Sequence, residues 1–390
     1  MALALPPEVL AGLLEGLQAA QQGLRALLNL AGLAPEVHGE PAWPFGHRVA
    51  AEMLLVDAGL ARRLLLSLLC AGLAMLALGA SAFWRRARWP LWLIAAVLLF
   101  AAPWPQSHLL LAPAVGTSLH QSPTGFTAQG IVRGQAVYQQ HCVRCHGADG
   151  AGEGPDAAQL AMWPPNLNGA LLWKRLDGEL FWRLRHGMQG RDGVQTMPGF
   201  AGQLGDRDLW EVLDYLQARA AGRMLRDAGT WDRPVRVPDA LADCRHGGSR
   251  SLRSLAGQRL RIAVPEGSGP QSSPVDDPRL VTVLAHAVAG ADAPECLAVD
   301  AALLPALALV LGVEAGAGDG AAGYQLIVDR AGWLRARGQP GRAEWSENDL
   351  VCRSTAAPRP AGRPAGDGLD ALIRRMDAEP VRLVRGGFPH

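Results

Sequence analysis

The chain has 390 residues, six cysteines and a formal net charge of +1. A length of that order suggests two or three domains, and a near-neutral balance without any basic run excludes an electrostatic nucleic-acid binder. Only one cysteine pair is close in sequence, which excludes a disulfide scaffold.

Residues 8–34 repeat apolar side chains with a helical period. Leu10, Leu13, Leu14, Leu17, Leu24, Leu28 and Ala31 share one face, while Glu15, Gln18, Gln22, Arg25 and Asn29 share the other. The pattern predicts an amphipathic helix lying on a membrane or a partner, or an ordinary packed helix. It carries no basic n-region and no clear cleavage site, so it does not read as a signal peptide. Residues 64–83 hold no charge, and at ~1.5 Å per residue they reach ~30 Å, the thickness of a hydrocarbon core. Cys70 inside this run reads as a small packed residue. A second apolar run, WPLWLIAAVLLFAAPW, begins at Trp89 and points toward the Leu109–Leu111 cluster, with Pro103 and Pro105 placed to end or kink it. Between the two runs stand Arg85, Arg86 and Arg88, flanked by Trp84 and Trp89, the pattern of a cytoplasmic turn. Two such spans put both flanks on the periplasmic side of a bacterial inner membrane; Arg62 and Arg63 at the outer end weigh the other way. His108 and His120 flank the exit and read as solvated interfacial histidines.

A linker leads into the stretch HCVRCHGADG. Two thiols at this spacing can add across the two vinyl groups of a haem, with the next histidine under the iron. Zinc needs a second Cys or His pair at ligand spacing, and the chain offers none; a dithiol redox pair has no need of His146. Cys142 and Cys145 are therefore expected to carry haem c covalently, with His146 as an axial ligand. The sixth ligand needs a soft or nitrogen donor. Met197 stands 51 residues beyond His146 in TMPGF, after the glycine-rich HGMQGRDGVQ, with Met162 and Met188 as alternatives.

Gly134 and Tyr138 on GIVRGQAVYQQH, the loop CHGADGAGEGP, MPGF, and DRDLWEVLDYLQARA together resemble the class I cytochromes c. The resemblance implies an all-α domain over 127–222 whose terminal helices cross at Gly134 and Tyr138, with Trp210 or Tyr215 packed there. It implies Met197 as the sixth ligand and the Pro155 carbonyl on the free ring nitrogen of His146. Such ligation leaves no open position for substrate, which points to electron transfer rather than catalysis. Trp163, Trp173 and Trp182 read as packing residues that could also cover the haem edge or form a docking patch.

The stretches AWPFGHRVAAEMLL, SPTGFTAQGIVRGQAVY and DGELFWRLRHGM also resemble a fusion group that joins a copper resistance protein D-type membrane segment, a cytochrome c and a thioredoxin-like domain. In the last region SLRSLAGQRLRIAVPEG, ECLAVD, the two strands of GYQLIVDRAGWLRARG and the helical DALIRRMDAE follow a thioredoxin-like order. GSGPQSSP stands where that family has its C-x-x-C, and no proline directly precedes GYQLIVD, so the resemblance implies a docking module without thiol–disulfide chemistry. In an oxidising compartment two of Cys244, Cys296 and Cys352 are expected to pair, the choice being open; a copper site of Cys244, His246 and His390 is the alternative. Residues 354–368 read as a flexible loop.

The expected organisation is multidomain: an amphipathic region (1–60), a two-helix transmembrane hairpin (61–113), a linker (114–126), the cytochrome c domain (127–222), a second linker (223–238) and an α/β thioredoxin-like domain (239–390). The expected function is a membrane-anchored periplasmic cytochrome, not itself an enzyme. It passes single electrons between respiratory partners through one covalent haem c, in contact with lipid and not with nucleic acid. Two alternatives stand beside it: a haem subunit of a larger membrane oxidase or dehydrogenase complex, and a copper-handling or oxidase-assembly factor with a haem redox sensor.

Overall fold

The computed structural model describes residues 6–169, 175–231, 233–267, 277–288, 294–313, 320–342, 344–352 and 367–381. They form two compact units, one up to Leu119 and one from His120 onward.

In the first unit, α1 (Pro7–Leu30) ends where Gly32, at a φ of 69°, turns the chain so that Leu33 N donates back to Leu28 O over 2.8 Å. The two-residue turn His38–Gly39, with both φ values positive, joins β1 (Glu36–Val37) to β2 (Glu40–Pro41). Next come β3 (His47–Val49), α2 (Met53–Val56), α3 (Ala58–Phe83), α4 (Arg88–Ala101), α5 (Ser107–Leu110) and β4 (Leu111–Pro113). Asp57 caps α3, its carboxylate accepting from Gly59 N (2.8 Å) and Leu60 N (3.1 Å). Trp92 Nε1 of α4 donates to Ser81 Oγ of α3 over 3.0 Å, tying the two as a helical hairpin. β3 pairs antiparallel with β4, Arg48 opposite Ala112, so the two ends of the hairpin are held together. Of the described helices α3 alone is long and apolar enough to cross a bilayer. α4 stops at Ala101, ahead of Pro103 and Pro105, and its 14 residues reach only ~21 Å. The Leu109–Leu111 cluster belongs to α5 and β4, not to a second span.

Leu14, Ala51, Leu54, Leu60, Ala61 and Leu64 form the core of this unit, with Leu10, Leu13 and Leu17 packed against it. The first half of the apolar face of α1 is thus internal, whereas Leu24 further along it (42 % exposed) lies on the surface. Part of the polar side also turns inward. Gln21 acts as a strand partner for β3, accepting from Val49 N (2.9 Å) and donating to Val49 O (3.1 Å), and Gln22 Nε2 donates to Leu119 O (3.0 Å).

The second unit begins with α6 (Ala128–His141) and the short α7 (Val143–His146), followed by α8 (Asp177–His186), the ribbon β5 (Met188–Gln189) and β6 (Gln195–Met197), and α9 (Asp206–Ala228). Strands β7 (Leu241–Cys244), β8 (Gly248–Ser251), β9 (Leu260–Ala263), β10 (Val281–Leu284), β11 (Cys296–Ala298), β12 (Gln325–Val328) and β13 (Leu334–Gly338) build one sheet in the order β13-β12-β9-β10-β11-β7-β8. β9, β10 and β11 run parallel, and the pairs toward either edge are antiparallel. The D-R-A-G turn joins β12 to β13 as the sequence predicts, Asp329 N donating to Trp333 O over 2.9 Å. Helix α10 (Leu303–Leu311) packs on the face that carries Leu326 and Val328. Helix α11 (Gly368–Ala378) packs on the opposite face, over Ile327 and Ala336. Arg335 is 1 % exposed and closes the end of α11, donating to Glu379 O (2.6 Å) and Met376 O (3.4 Å).

The stretch 223–238 is not a free linker. α9 continues through Ala228, and Trp231 behind it is buried, its Nε1 donating to Ala221 O over 3.2 Å. Ala128, Ile131, Ala218, Ala221 and Leu225 of α6 and α9 share one buried cluster with Ile262, Val283, Leu307 and Leu326 of the sheet region. The two backbones meet at a glycine pair: a Cβ on Gly222 would enter the carbonyl of Leu309, and one on Gly312 would enter the carbonyl of Gly222. Cys244 and Cys296, directly opposite in the β7–β11 register, form a disulfide, and Cys352 is buried outside that bridge. His120, read from sequence as solvated, is buried, while His108 is exposed. His390 and almost all of the 354–368 stretch lie outside the described residues.

Gly222→Val overfills a backbone contact and is expected to cost about 1–3 kcal/mol. Because the core is shared, near- and far-ultraviolet dichroism should then lose their signals in one transition at a lowered temperature; two separate transitions would contradict a shared core. Removing the disulfide by Cys244→Ala with Cys296→Ala releases a loop closed over 52 residues. Chain entropy puts the loss near 4 kcal/mol, measurable as a fall in the urea midpoint that reductant reproduces in the parent protein.

Candidate haem site

The site starts from a helix end. Thr127 caps α6, its Oγ1 accepting from Gly130 N over 3.1 Å. The helix then carries Gly134 and Tyr138 along its inner side. A Cβ at Gly134 would run into the carbonyl of Glu211 and the amide nitrogen of Val212 on α9, so only glycine permits this crossing. One turn on, Tyr138 is buried, its ring centroid 5.3 Å from that of Tyr215 and its hydroxyl donating to Gly147 O over 2.7 Å. Trp210 stacks instead on Phe181, with centroids 4.4 Å apart.

Cys142 ends α6, and Val143–His146 form one further turn, His146 N donating to Cys142 O over 2.9 Å. Residues three and four apart share a helix face, so this turn presents Cys142, Cys145 and His146 to the same side. Gly147, at a φ of 76°, ends the turn. Both thiols are free and half-buried. Burial, with the neighbouring Cys145 adding to it, pushes the Cys142 thiol up to about 12. It is therefore a protonated thiol at neutral pH, unsuited to exchange chemistry. Burial likewise lowers the pKa of His146, keeping the imidazole neutral as ligation requires.

Pro155, expected to meet the ring of His146, is exposed. The backbone carbonyl that acts on the ring is that of Pro165. It stands short of a full hydrogen bond, and Nδ1 remains buried without a partner. The reason is the length of the intervening loop. Gly150, Gly152 and Gly154 fold 147–154 tightly under the motif, Gly152 N donating to His146 O (2.9 Å) and Gly154 N to Cys145 O (3.1 Å). Leu167 N then returns to Gly150 O over 2.8 Å, which brings Pro165 rather than Pro155 beside the ring.

Met197 is half-buried and packs, together with Cys142 and Val143, on the cluster of Tyr138, Phe181, Phe200 and Trp210. Its loop is clamped by two glycines: a Cβ on Gly187 would strike Met197 O, and one on Gly199 would strike the backbone of His186. Met188 lies opposite Met197 in the β5–β6 register but is exposed, as is Met162. Trp163 is exposed, Trp182 tilts over His186 at 4.0 Å between centroids, and Trp173 lies outside the described residues. Sequence reasoning missed Gly187, Gly199 and Pro165, although HGM, MPGF and PPNL were there to be read. Among the described residues no group of three His, Cys, Asp or Glu side chains could hold a metal ion. Cys244 is committed to a disulfide, which removes it from the copper alternative.

A thiol pair and a neutral imidazole on one helical turn, and a methionine on the same core, all fit covalent haem. Two terminal helices crossing at a glycine complete the class: residues 129–216 are a cytochrome c domain. That same stretch matches the family model described as cytochrome c oxidase, cbb3-type, subunit III. No curated protein matches the chain. A solved chain of the Kuenenia stuttgartiensis reducing HAO-like protein complex is 19 % identical over 32 % of this chain and 58 % of its own length, with a TM-score of 0.21, too low to carry an argument.

On α9, one residue before Tyr215, Asp214 is buried and accepts from Thr124 Oγ1. Burial pushes its carboxyl up to about 7, Asp177 and Glu211 adding repulsion against the pull of Thr124 and Arg253. The folded pKa lies above the ordinary value of ~4, so its stabilising contribution is full below about pH 4 and is lost as pH rises through about 7. Asp214→Asn should flatten the stability profile over that window by roughly 3–4 kcal/mol. Urea midpoints across pH 4–7 read this directly, and parallel profiles for the two proteins would reject it.

Proposed function

We propose that the chain is a membrane-anchored c-type cytochrome that passes single electrons through one covalent haem on the periplasmic side of a bacterial inner membrane. Cys142 and Cys145 form the thioethers, and His146 and Met197 ligate the iron. The observation that carries this reading is the turn 142–146, which aims both thiols and the imidazole one way, while Met197 packs on the core that Cys142 joins. When bound, the haem supplies a one-electron iron couple. The protein's own part is to keep His146 neutral, to offer a soft sulfur at Met197 and to exclude water through Tyr138, Phe181 and Phe200. With two protein ligands no position is left for substrate, so the role is transfer rather than catalysis.

The length of α3, its exposed Leu69, Leu73 and Leu76, and the exposed Trp84 and Trp89 around Arg85, Arg86 and Arg88 support a membrane hairpin with a cytoplasmic turn. The β3–β4 pairing supports an exit on the same side as the entry. The parallel β9–β10 pair, the antiparallel β12–β13 hairpin and the helices on both faces support a thioredoxin-like reading of the last region as a docking module. Most of GSGPQSSP, where an active pair belongs in that fold, lies outside the described residues.

A second reading, a haem subunit of a larger respiratory membrane complex, is favoured by the shortness of α4. That helix leaves Trp92, Ile94, Val97 and Phe100 exposed, and the matched family is itself named for an oxidase subunit. Isolation in mild detergent separates the two: a chain that migrates alone rejects the complex.

Met197→Ala should abolish the methionine-to-iron band of the oxidised protein and lower the midpoint potential, while Met188→Ala leaves both unchanged. Cys142→Ala with Cys145→Ala should leave no haem on the denatured chain. Persistence of the band in Met197→Ala and its loss in Met188→Ala would transfer the ligand role to Met188.

A further inference from the structure

Arg219 lies one helical turn beyond Tyr215 on α9, and nothing in the haem reading uses it. Its guanidinium stands over two rings at once, 4.7 Å from the centroid of Tyr138 and 5.3 Å from that of Tyr215. Nη1 donates to Ala148 O over 3.3 Å, in the loop that directly follows His146, and to the Tyr215 hydroxyl over 3.5 Å. The flat group lies against Gly150, where a Cβ would collide with Nη2. Nε and Nη2 are buried without a hydrogen-bond partner, and among the described residues no carboxylate pairs with the charge. The field of this cation reaches Tyr138, Cys142 and His146 alike.

A guanidinium that only fastened a loop would be expected to use its whole fork, because buried donors without acceptors are costly. Here the electron-rich ring faces hold the cation, and its charge stays uncompensated beside the axial histidine. We infer that Arg219 sets the haem potential: a permanent positive charge next to His146 favours the reduced iron, which carries one positive charge fewer, and so raises the midpoint. The charge acts through a low-dielectric interior, where it is screened far less than at the surface. It cannot be switched off by pH, because a guanidinium does not deprotonate in a protein. The second component is positional. By holding Ala148 O and the two tyrosines, Arg219 fixes the glycine loop that carries Pro165 to the His146 ring, and second partners of this kind tune a metal ligand.

The inference rests on the haem reading of Cys142, Cys145 and His146, and its test keeps the two apart. The full chain in detergent is titrated spectroelectrochemically as the parent, Arg219→Gln, Arg219→Lys and Ala148→Glu. The expected result is a lower midpoint for Arg219→Gln with the reduced-haem spectrum intact, and a midpoint near the parent for Arg219→Lys, which keeps the charge. Ala148→Glu changes an exposed side chain beside the guanidinium; it should also lower the midpoint and keeps the test alive if Arg219→Gln does not fold. Equal midpoints in all four proteins overturn the inference, as does a fall in Arg219→Lys as large as in Arg219→Gln, which would reduce the residue to a packing role. A parent chain that carries no haem overturns the haem reading instead.

Discussion

The haem site depends on how closely α6 and α9 approach at Gly134. With no Cβ at that position the backbones of the two helices touch at Glu211 and Val212, and Tyr138 enters the core beside Tyr215. The tyrosine hydroxyl then fixes Gly147 O, which ends the turn bearing Cys142, Cys145 and His146. Glu211, buried at the crossing, is neutralised from both sides by Arg133 (2.6 Å) and Arg207 (2.9 Å). A buried carboxylate without such partners would oppose the very approach that Gly134 allows.

α9 serves two structures at once. Near its start it closes the haem core through Trp210 and Tyr215; near its end Gly222 seats it against Gly312 and the sheet region. The helix is thus held on both sides. Rigidity of this kind suits electron transfer, where the ligand set should hardly move between oxidation states. The Cys244–Cys296 bridge ties β7 to β11 in the same unit, far along the chain from the haem motif.

Charge in the cytochrome region is arranged by burial. The Cys142 thiol is kept protonated and His146 neutral, so neither group of this turn carries a charge of its own. Arg219 supplies a positive charge beside them, held by tyrosine rings instead of a carboxylate. Asp214, on the same helix, is likewise pushed toward its neutral form by burial and stays largely protonated below neutrality.

Much of this was legible in the chain itself. C-x-x-C-H in a helical turn, Gly134 four residues before Tyr138, and the D-R-A-G hairpin are local patterns, because each is decided by the spacing of neighbours along the chain. The sequence alone determined the haem-attachment motif of a cytochrome c domain, the long apolar α3 and the existence of a strand-rich last region. Tertiary structure decided everything that depends on which distant backbones meet. It placed Pro165 rather than Pro155 beside His146, because the glycine loop folds back through Leu167. It paired Cys244 with Cys296, because β7 and β11 fall in register. It made 223–238 part of a shared core, because two glycines 90 residues apart let helices touch. No spacing rule encodes such encounters: they are set by three-dimensional packing, where one missing Cβ decides how near two segments can come.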